Sequence, residues 1–249
     1  YSSLHITRES YVLNVIHANE FNSRYDLDKI GKPVDRSEWS MSPQTINAYY
    51  DPSLNSINIL AGILQPPFFD PNAPAAVNYG AIGFVIGHEM THGFDDQGAL
   101  FDGYGNLKNW WTPLDMQQFK AATRCIAKQF SGYKVNGDTM VQGELVVGEA
   151  AADLGGVLLA WQAFHASKDY HQAKTIEGFT PDQQFFLSVA HVWAGNIRPE
   201  LARQLVATDP HPPSQYRVNG TLANRPEFQR AFSIATPSKM VHLPQCKIW

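Results

Sequence analysis

His88-Glu89-Met90-Thr91-His92 is the stretch around which the chain is arranged. Two histidines four apart on a helix lie on one face, one turn from each other. Such a pair grips one divalent metal ion, and the Glu after the first His faces a water on that metal. The preceding run, Gly80-Ala81-Ile82-Gly83-Phe84-Val85-Ile86-Gly87, is small or apolar. It predicts a helix over 76–93, buried on most of its circumference, as a rigid platform for the site.

A catalytic Zn²⁺ takes three protein ligands and keeps one open position. A third histidine in the pattern H-x-x-G-x-x-H is excluded, because Gly93-Phe94-Asp95-Asp96-Gln97 follows His92. The alternative is a carboxylate on a later helix. Gly148-Glu149-Ala150-Ala151-Ala152-Asp153-Leu154-Gly155-Gly156 supplies two, four residues apart. Burying a carboxylate in such an apolar setting is costly unless something cationic sits opposite. Zinc answers for Glu149. An imidazole N–H answers for Asp153, because metal-bound histidines hand their other nitrogen to a carboxylate. Asp95 is the candidate for the same duty towards His92.

The rest of the chain places this pair of helices. Helical spacing covers residues 7–25. Thr45–Tyr50 and Ser56–Leu60 alternate as strands around Asp51-Pro52-Ser53-Leu54-Asn55, which predicts a hairpin. Thr112-Pro113 and Thr180-Pro181 each pair an N-cap with proline at the first helical position. They open helices to about Phe130 and Trp193. Residues 143–166 read as a second long helix, and another runs from Pro199 to about Ala207. Asn136-Gly137-Asp138 is a turn, and Asp209–Asn219 is a proline-broken loop. A short helix lies near Pro226–Phe232. The expected class is a mainly helical α+β domain with a small sheet, one domain over residues 1–249.

Composition narrows the partners. The chain has 249 residues and a formal net charge of −4, with no block of like charge. That favours neither nucleic acid nor an anionic membrane. The apolar runs are too short to span a bilayer. The first residue is Tyr1, within a helical pattern, so the expectation is a piece of a longer protein. The two cysteines, Cys125 and Cys246, are either two buried thiols or one disulfide.

These motifs resemble the neprilysin family of zinc endopeptidases, which includes endothelin-converting enzymes and bacterial oligopeptidases. The resemblance rests on Val85–Asp96 and on Glu149 to Gly156. It extends to Asn47-Ala48-Tyr49-Tyr50, Ala61–Phe69, Asp209-Pro210-His211, Arg217-Val218-Asn219-Gly220 and the ending Cys246-Lys247-Ile248-Trp249. It implies a thermolysin-like zincin catalytic domain with a small sheet beside the metal helix. His88, His92 and Glu149 would hold one Zn²⁺, and Glu89 would be the general base. Asp95 and Asp153 would orient the histidines. His211 would stabilise the oxyanion, and Arg217 would bind a substrate carbonyl. Asn47 and Ala48 would hold the peptide main chain. Ile63, Phe68, Phe84, Val85, Val192 and Trp193 would line the pocket for the side chain after the scissile bond. Cys125 and Cys246 match a family pair and are expected to be bridged, which implies an extracellular or periplasmic location. The family carries a helical domain upstream, a partner absent from this chain.

Two departures stand out. Ala150 occupies the position where the family often has Asn after the ligand Glu. Ala194 follows Trp193 where vertebrate members have Cys, which points to a bacterial-type member. The activity expected is hydrolysis of short peptides on the amino side of hydrophobic residues. The rival readings are a zinc aminopeptidase of the same clan and a zinc-stabilised peptide-binding fragment, inactive without its upstream domain. The first needs acidic groups to capture a free α-amine, and no such motif is present.

Overall fold

The computed structural model describes residues 1–248. Residues Tyr1–Ser40 form one compact unit, and the chain from Met41 onwards forms another. In the first, helix α1 (Tyr11–Leu27) is capped by Ser10, whose side chain accepts from the Leu13 amide. None of its residues is buried.

The second unit opens with the expected hairpin. Strands β1 (Ala48–Asp51) and β2 (Ser56–Ile59) pair antiparallel, Ala48 opposite Ile59 and Asp51 opposite Ser56. The segment expected as one metal helix is built in three pieces. These are α2 (Ala75–Asn78), a π-helical turn (Tyr79–Gly83) and α3 (Phe84–His92). Periodicity cannot distinguish these windings, because one extra residue in a turn leaves the apolar character unchanged. Gly80 lies in the widened turn, where the Phe185 carbonyl approaches too closely for any Cβ. Helix α3 is buried most of the way round, as expected, with six of its nine residues buried. Phe84, Val85, His88 and Glu89 face inwards, but Ile86 and Met90 are 37% and 50% exposed.

Helix α4 (Pro113–Phe130) starts where its cap signal placed it, with Thr112 accepting from the Asp115 amide. A two-stranded ribbon follows, β3 (Lys134–Val135) and β4 (Thr139–Met140). Its three-residue turn holds Asn136 and Gly137 at φ 47° and 93°, the left-handed region that Asn and Gly tolerate best. Helix α5 (Val147–Ala166) then runs through the centre of the unit. Its N-terminal half packs with Ile126, Phe130, Val146 and Cys246. Its C-terminal half packs with Phe84, Phe185, Phe186 and Leu222.

The remaining helices are α6 (Lys168–Gln172), α7 (Pro181–His191), α8 (Pro199–Thr208), α9 (Ser214–Leu222) and α10 (Pro226–Ala231). Helix α7 carries the full capping box, Thr180 with Gln183. Helix α6 has five residues, too few to show a period. Helix α9 corrects the expectation of a loop over Asp209–Asn219. Pro210, Pro212 and Pro213 all precede it, and proline breaks a helix interior but is tolerated before its first turn. This matters because α9 carries Arg217.

Cys125 of α4 and Cys246 are joined by a disulfide. Trp249, the end of the family-like Cys-x-x-Trp, lies outside the described residues. Among those residues no helix is long and apolar enough to cross a membrane.

Candidate metal centre and cleft

Helices α3 and α5 bring His88, His92 and Glu149 together. Their ligand-type atoms all lie within 4.8 Å of one another. His92 Nε2 is 2.9 Å from His88 Nε2. Glu149 stands 3.3 Å from His88 Nε2 and 3.6 Å from His92 Nε2. Three ligands of one tetrahedral zinc, each at about 2.0–2.1 Å, would be about 3.3 Å apart. The observed spacings bracket that value.

The outer contacts add to the fit. His92 Nδ1 meets Asp95 Oδ2 at 2.6 Å, and His88 Nδ1 meets Asp153 Oδ1 at 2.9 Å. A carboxylate on each Nδ1 takes its N–H and leaves the Nε2 lone pair facing inwards. Both Nε2 atoms thus converge, 2.9 Å apart, on the point where a cation would lie against them. The three donors therefore could hold a metal ion, and their chemistry suits zinc.

Three glycines allow the helices to approach this closely. A Cβ on Gly87 would stand 2.8 Å from the Gly156 carbonyl oxygen, and one on Gly156 would stand 2.8 Å from the His88 amide nitrogen. A Cβ on Gly155 would strike Thr91. The obstacles at Gly87 and Gly156 are backbone, which cannot rotate away. Gly156→Ala is therefore expected to push α5 off α3 and to cost about 1–3 kcal/mol of stability. It should also weaken zinc binding, because Glu149 and Asp153 lie on the displaced helix. Chelator competition against wild type measures this, and unchanged zinc affinity would contradict the argument.

Arg217 completes the buried cluster. Its Nε and Nη2 donate to Asp153 at 2.8 and 2.7 Å, a two-pronged pair. Nη2 also lies 3.4 Å from Glu149 Oε2. The guanidinium stacks 3.9 Å from the centre of the Trp193 ring. Burial opposes the charge on Asp153, but Arg217 and His88 hold its carboxyl below the usual range. For Glu149 burial acts the same way, and His88 with Arg217 outweighs it, so the carboxyl titrates at about 2. Burial would lower His88, yet the Asp153 and Glu149 carboxylates hold it up at about 9. Glu89 has its acidity weakened mainly by burial. It makes none of the imidazole or guanidinium hydrogen bonds that occupy Glu149 and Asp153.

These shifts predict how the metal-free protein responds to pH. His88 titrates above its unfolded value of 6.5, so its contribution to stability is complete below 6.5 and lost as pH rises through about 9. Glu149 titrates below its unfolded value of 4.5, so its contribution is complete above 4.5 and lost as pH falls towards about 2. Stability should therefore peak between these limits. Between pH 6.5 and 9 zinc must also displace the His88 proton. Calorimetry at pH 7.5 in two buffers of different ionisation enthalpy should read net proton release on zinc binding, from His88 and from any water the metal acidifies. A value near zero would refute the assignment.

The triad lies in a cleft of about 820 Å³. Asn47, Ala48, Ile63, Phe68, Phe84, Val85, Trp193, His211 and Arg217 line it, as does Glu89. Asp153 lies beneath the surface, 0% exposed. Val192 is not among the lining residues and instead caps the end of α7. His211 reaches Glu149 at 3.3 Å and is tethered through Nδ1 to Asp209 Oδ1 at 2.7 Å. Asp209 had no role in the sequence reading, although its position two residues before a histidine allows a local side-chain turn. Met41, Ile46, Tyr49, Tyr50, Asp96 and Glu144 also line the cleft. Tyr49, Tyr50 and Asp96 fall within the family-like stretches without having been given a role, whereas nothing in the local sequence marks Met41, Ile46 or Glu144.

A helix bearing His-x-x-x-His, with its third donor a Glu on a second helix, defines a zincin-type metallopeptidase fold. The model of peptidase family M13 matches residues 47–248, and the chain belongs to that family. It is 41% identical over its whole length to neprilysin-3 of Drosophila melanogaster, covering 32% of that protein. It is 41% identical to human endothelin-converting enzyme 1 over 96% of this chain and 31% of that one. The zinc metalloprotease ZMP1 of Mycobacterium tuberculosis, solved with an inhibitor, superposes with a TM-score of 0.89. That match is 42% identical and covers all of this chain and 39% of the other. The chain thus spans about a third of the length of the curated relatives it matches. Animal and mycobacterial relatives are equally similar, so identity alone does not mark it as bacterial.

Proposed function

We propose that this chain is the catalytic region of a zinc-dependent endopeptidase that cuts short peptides on the amino side of hydrophobic residues. The observation that carries the reading is Glu89. It is a buried carboxylate beside the His88/His92/Glu149 triad, in an open cleft, with its affinity for a proton raised by burial. A non-catalytic metal site would have no use for it.

Zinc bound by the triad would polarise the scissile carbonyl and acidify a water. Glu89 would take a proton from the attacking water and return it to the leaving amine. His211 donates to the developing oxyanion, with Asp209 fixing its ring. Asp95 and Asp153 hold the ligand imidazoles in one tautomer. Asn47 and Ala48, beside the cleft edge of β1, take the peptide main chain as an added strand, a mode tolerant of sequence. Selectivity then falls to the apolar wall of Ile63, Phe68, Phe84, Val85 and Trp193. The disulfide and the relatives favour an extracellular or periplasmic setting. The upstream part of a longer protein would complete the cleft.

A peptide-library digest read by mass spectrometry tests this. Cleavage before Phe, Leu, Ile or Met is expected, lost with a chelator and restored by zinc. Release of single N-terminal residues would establish an aminopeptidase instead. Cuts before charged residues would overturn the assignment of the pocket.

A further inference from the structure

Trp193 has two contacts, and one unmade hydrogen bond, that a simple pocket wall does not need. The Arg217 guanidinium carbon lies over its ring, 3.9 Å from the ring centre. Its edge meets Phe84, with ring centres 6.2 Å apart and planes at 82°. Its indole nitrogen is buried and makes no hydrogen bond among the described residues. The ring is therefore held by packing and by the cation, not by a polar anchor. Arg217 is clamped on one side by Asp153, and the clamp fixes two of its nitrogens. A planar guanidinium held along one edge still swings about that edge. A ring against its face removes the swing.

We propose that Trp193 is a positioning residue that acts through Arg217. It holds the guanidinium plane so that the edge not used by Asp153 is presented to a substrate carbonyl. This rests on the peptidase reading above for the identity of the ligand. The wall and the positioning roles differ in one respect. A wall acts on the substrate side chain whatever stands at residue 217. A positioning ring acts only while a planar cation stands there.

The test is a double-mutant cycle on peptide binding, read by calorimetry with zinc-loaded protein carrying Glu89→Gln to prevent cleavage. The ligand is a hexapeptide with Phe after the intended scissile bond. Trp193→Leu keeps an apolar wall without a ring face, and Trp193→Phe keeps a ring face. Arg217→Lys keeps a cation for Asp153 without a plane to stack. Trp193→Leu is expected to weaken binding by about 3- to 30-fold, the range of a partly buried cation–ring contact. Trp193→Phe should recover most of that loss. In the Arg217→Lys background, Trp193→Leu should cost less than about twofold. An equal cost in both backgrounds would overturn the proposal and leave Trp193 as wall alone.

The two readings fail separately. If protein without the Glu89 change binds the hexapeptide but never cuts it, cleavage by this chain on its own is refuted, and the cycle still decides the role of Trp193. If it binds no peptide, both readings fall.

Discussion

Glu89→Gln and wild type are each expected to bind one zinc per chain, and the mutant to cleave an internally quenched peptide about 10²- to 10⁴-fold more slowly. The argument has two parts. Glu89 is not in the donor triad, so the metal should remain. Glutamine is close in size and still fits the buried site, where the side chain is 6% exposed. What it cannot do is accept a proton. The raised proton affinity of Glu89 brings it nearer to the working pH, and a general base is most effective there. Zinc content and hydrolysis should be measured side by side on the two proteins. Zinc in both with cleavage in wild type alone supports the mechanism. Zinc in both with cleavage in neither would assign the chain a metal site that does not work without the rest of a longer protein. A mutant that cuts within tenfold of wild type would remove Glu89 from its role.

The second large effect is on stability. Arg217→Met should destabilise the metal-free protein by about 3–5 kcal/mol, because it leaves a buried charge without its main partner. Asp153 is 0% exposed, and the lost partner was two-pronged. His88 remains on Asp153, but burial opposes its charge. Replacing both members, Arg217→Met with Asp153→Leu, should recover much of the loss, since two apolar groups of similar volume carry no desolvation penalty. Recovery should be incomplete, because His88 Nδ1 then lacks an acceptor. Urea unfolding of the four proteins measures this. A loss below about 1 kcal/mol in Arg217→Met would show that the cluster is better solvated than its burial implies.

Much of the site could be read from sequence because its parts are local. His88 and His92 are one helical turn apart, and so are Glu149 and Asp153. Their faces follow from 3.6 residues per turn without any tertiary knowledge. The pairing of His92 with Asp95 is equally local, three residues apart. The caps at Thr112 and Thr180 were readable for the same reason, since each rests on hydrogen bonds within one turn. Two readings lacked this support. The π-helical turn before Phe84 depends on how α7 crosses it at Gly80. The start of α9 depended on where the prolines stood relative to the helix, not on how many there were. The Cys125–Cys246 bridge spans 121 residues, and spacing alone left it open. It was expected only through resemblance to a family.

The sequence by itself therefore determined the metal-binding turn, the second acidic turn, the caps and the hairpin, all made by residues within a few positions of each other. Tertiary structure alone decided which charges meet across the fold. Arg217 joins Asp153 from 64 residues away, stacks on Trp193 and reaches Glu149. It also placed Val192 outside the cleft lining and tied α3 to α5 at Gly87 and Gly156. The physical reason is burial. Local hydrogen bonds form in any setting, whereas a buried ion pair or a glycine-width helix contact depends on what the rest of the chain packs around it.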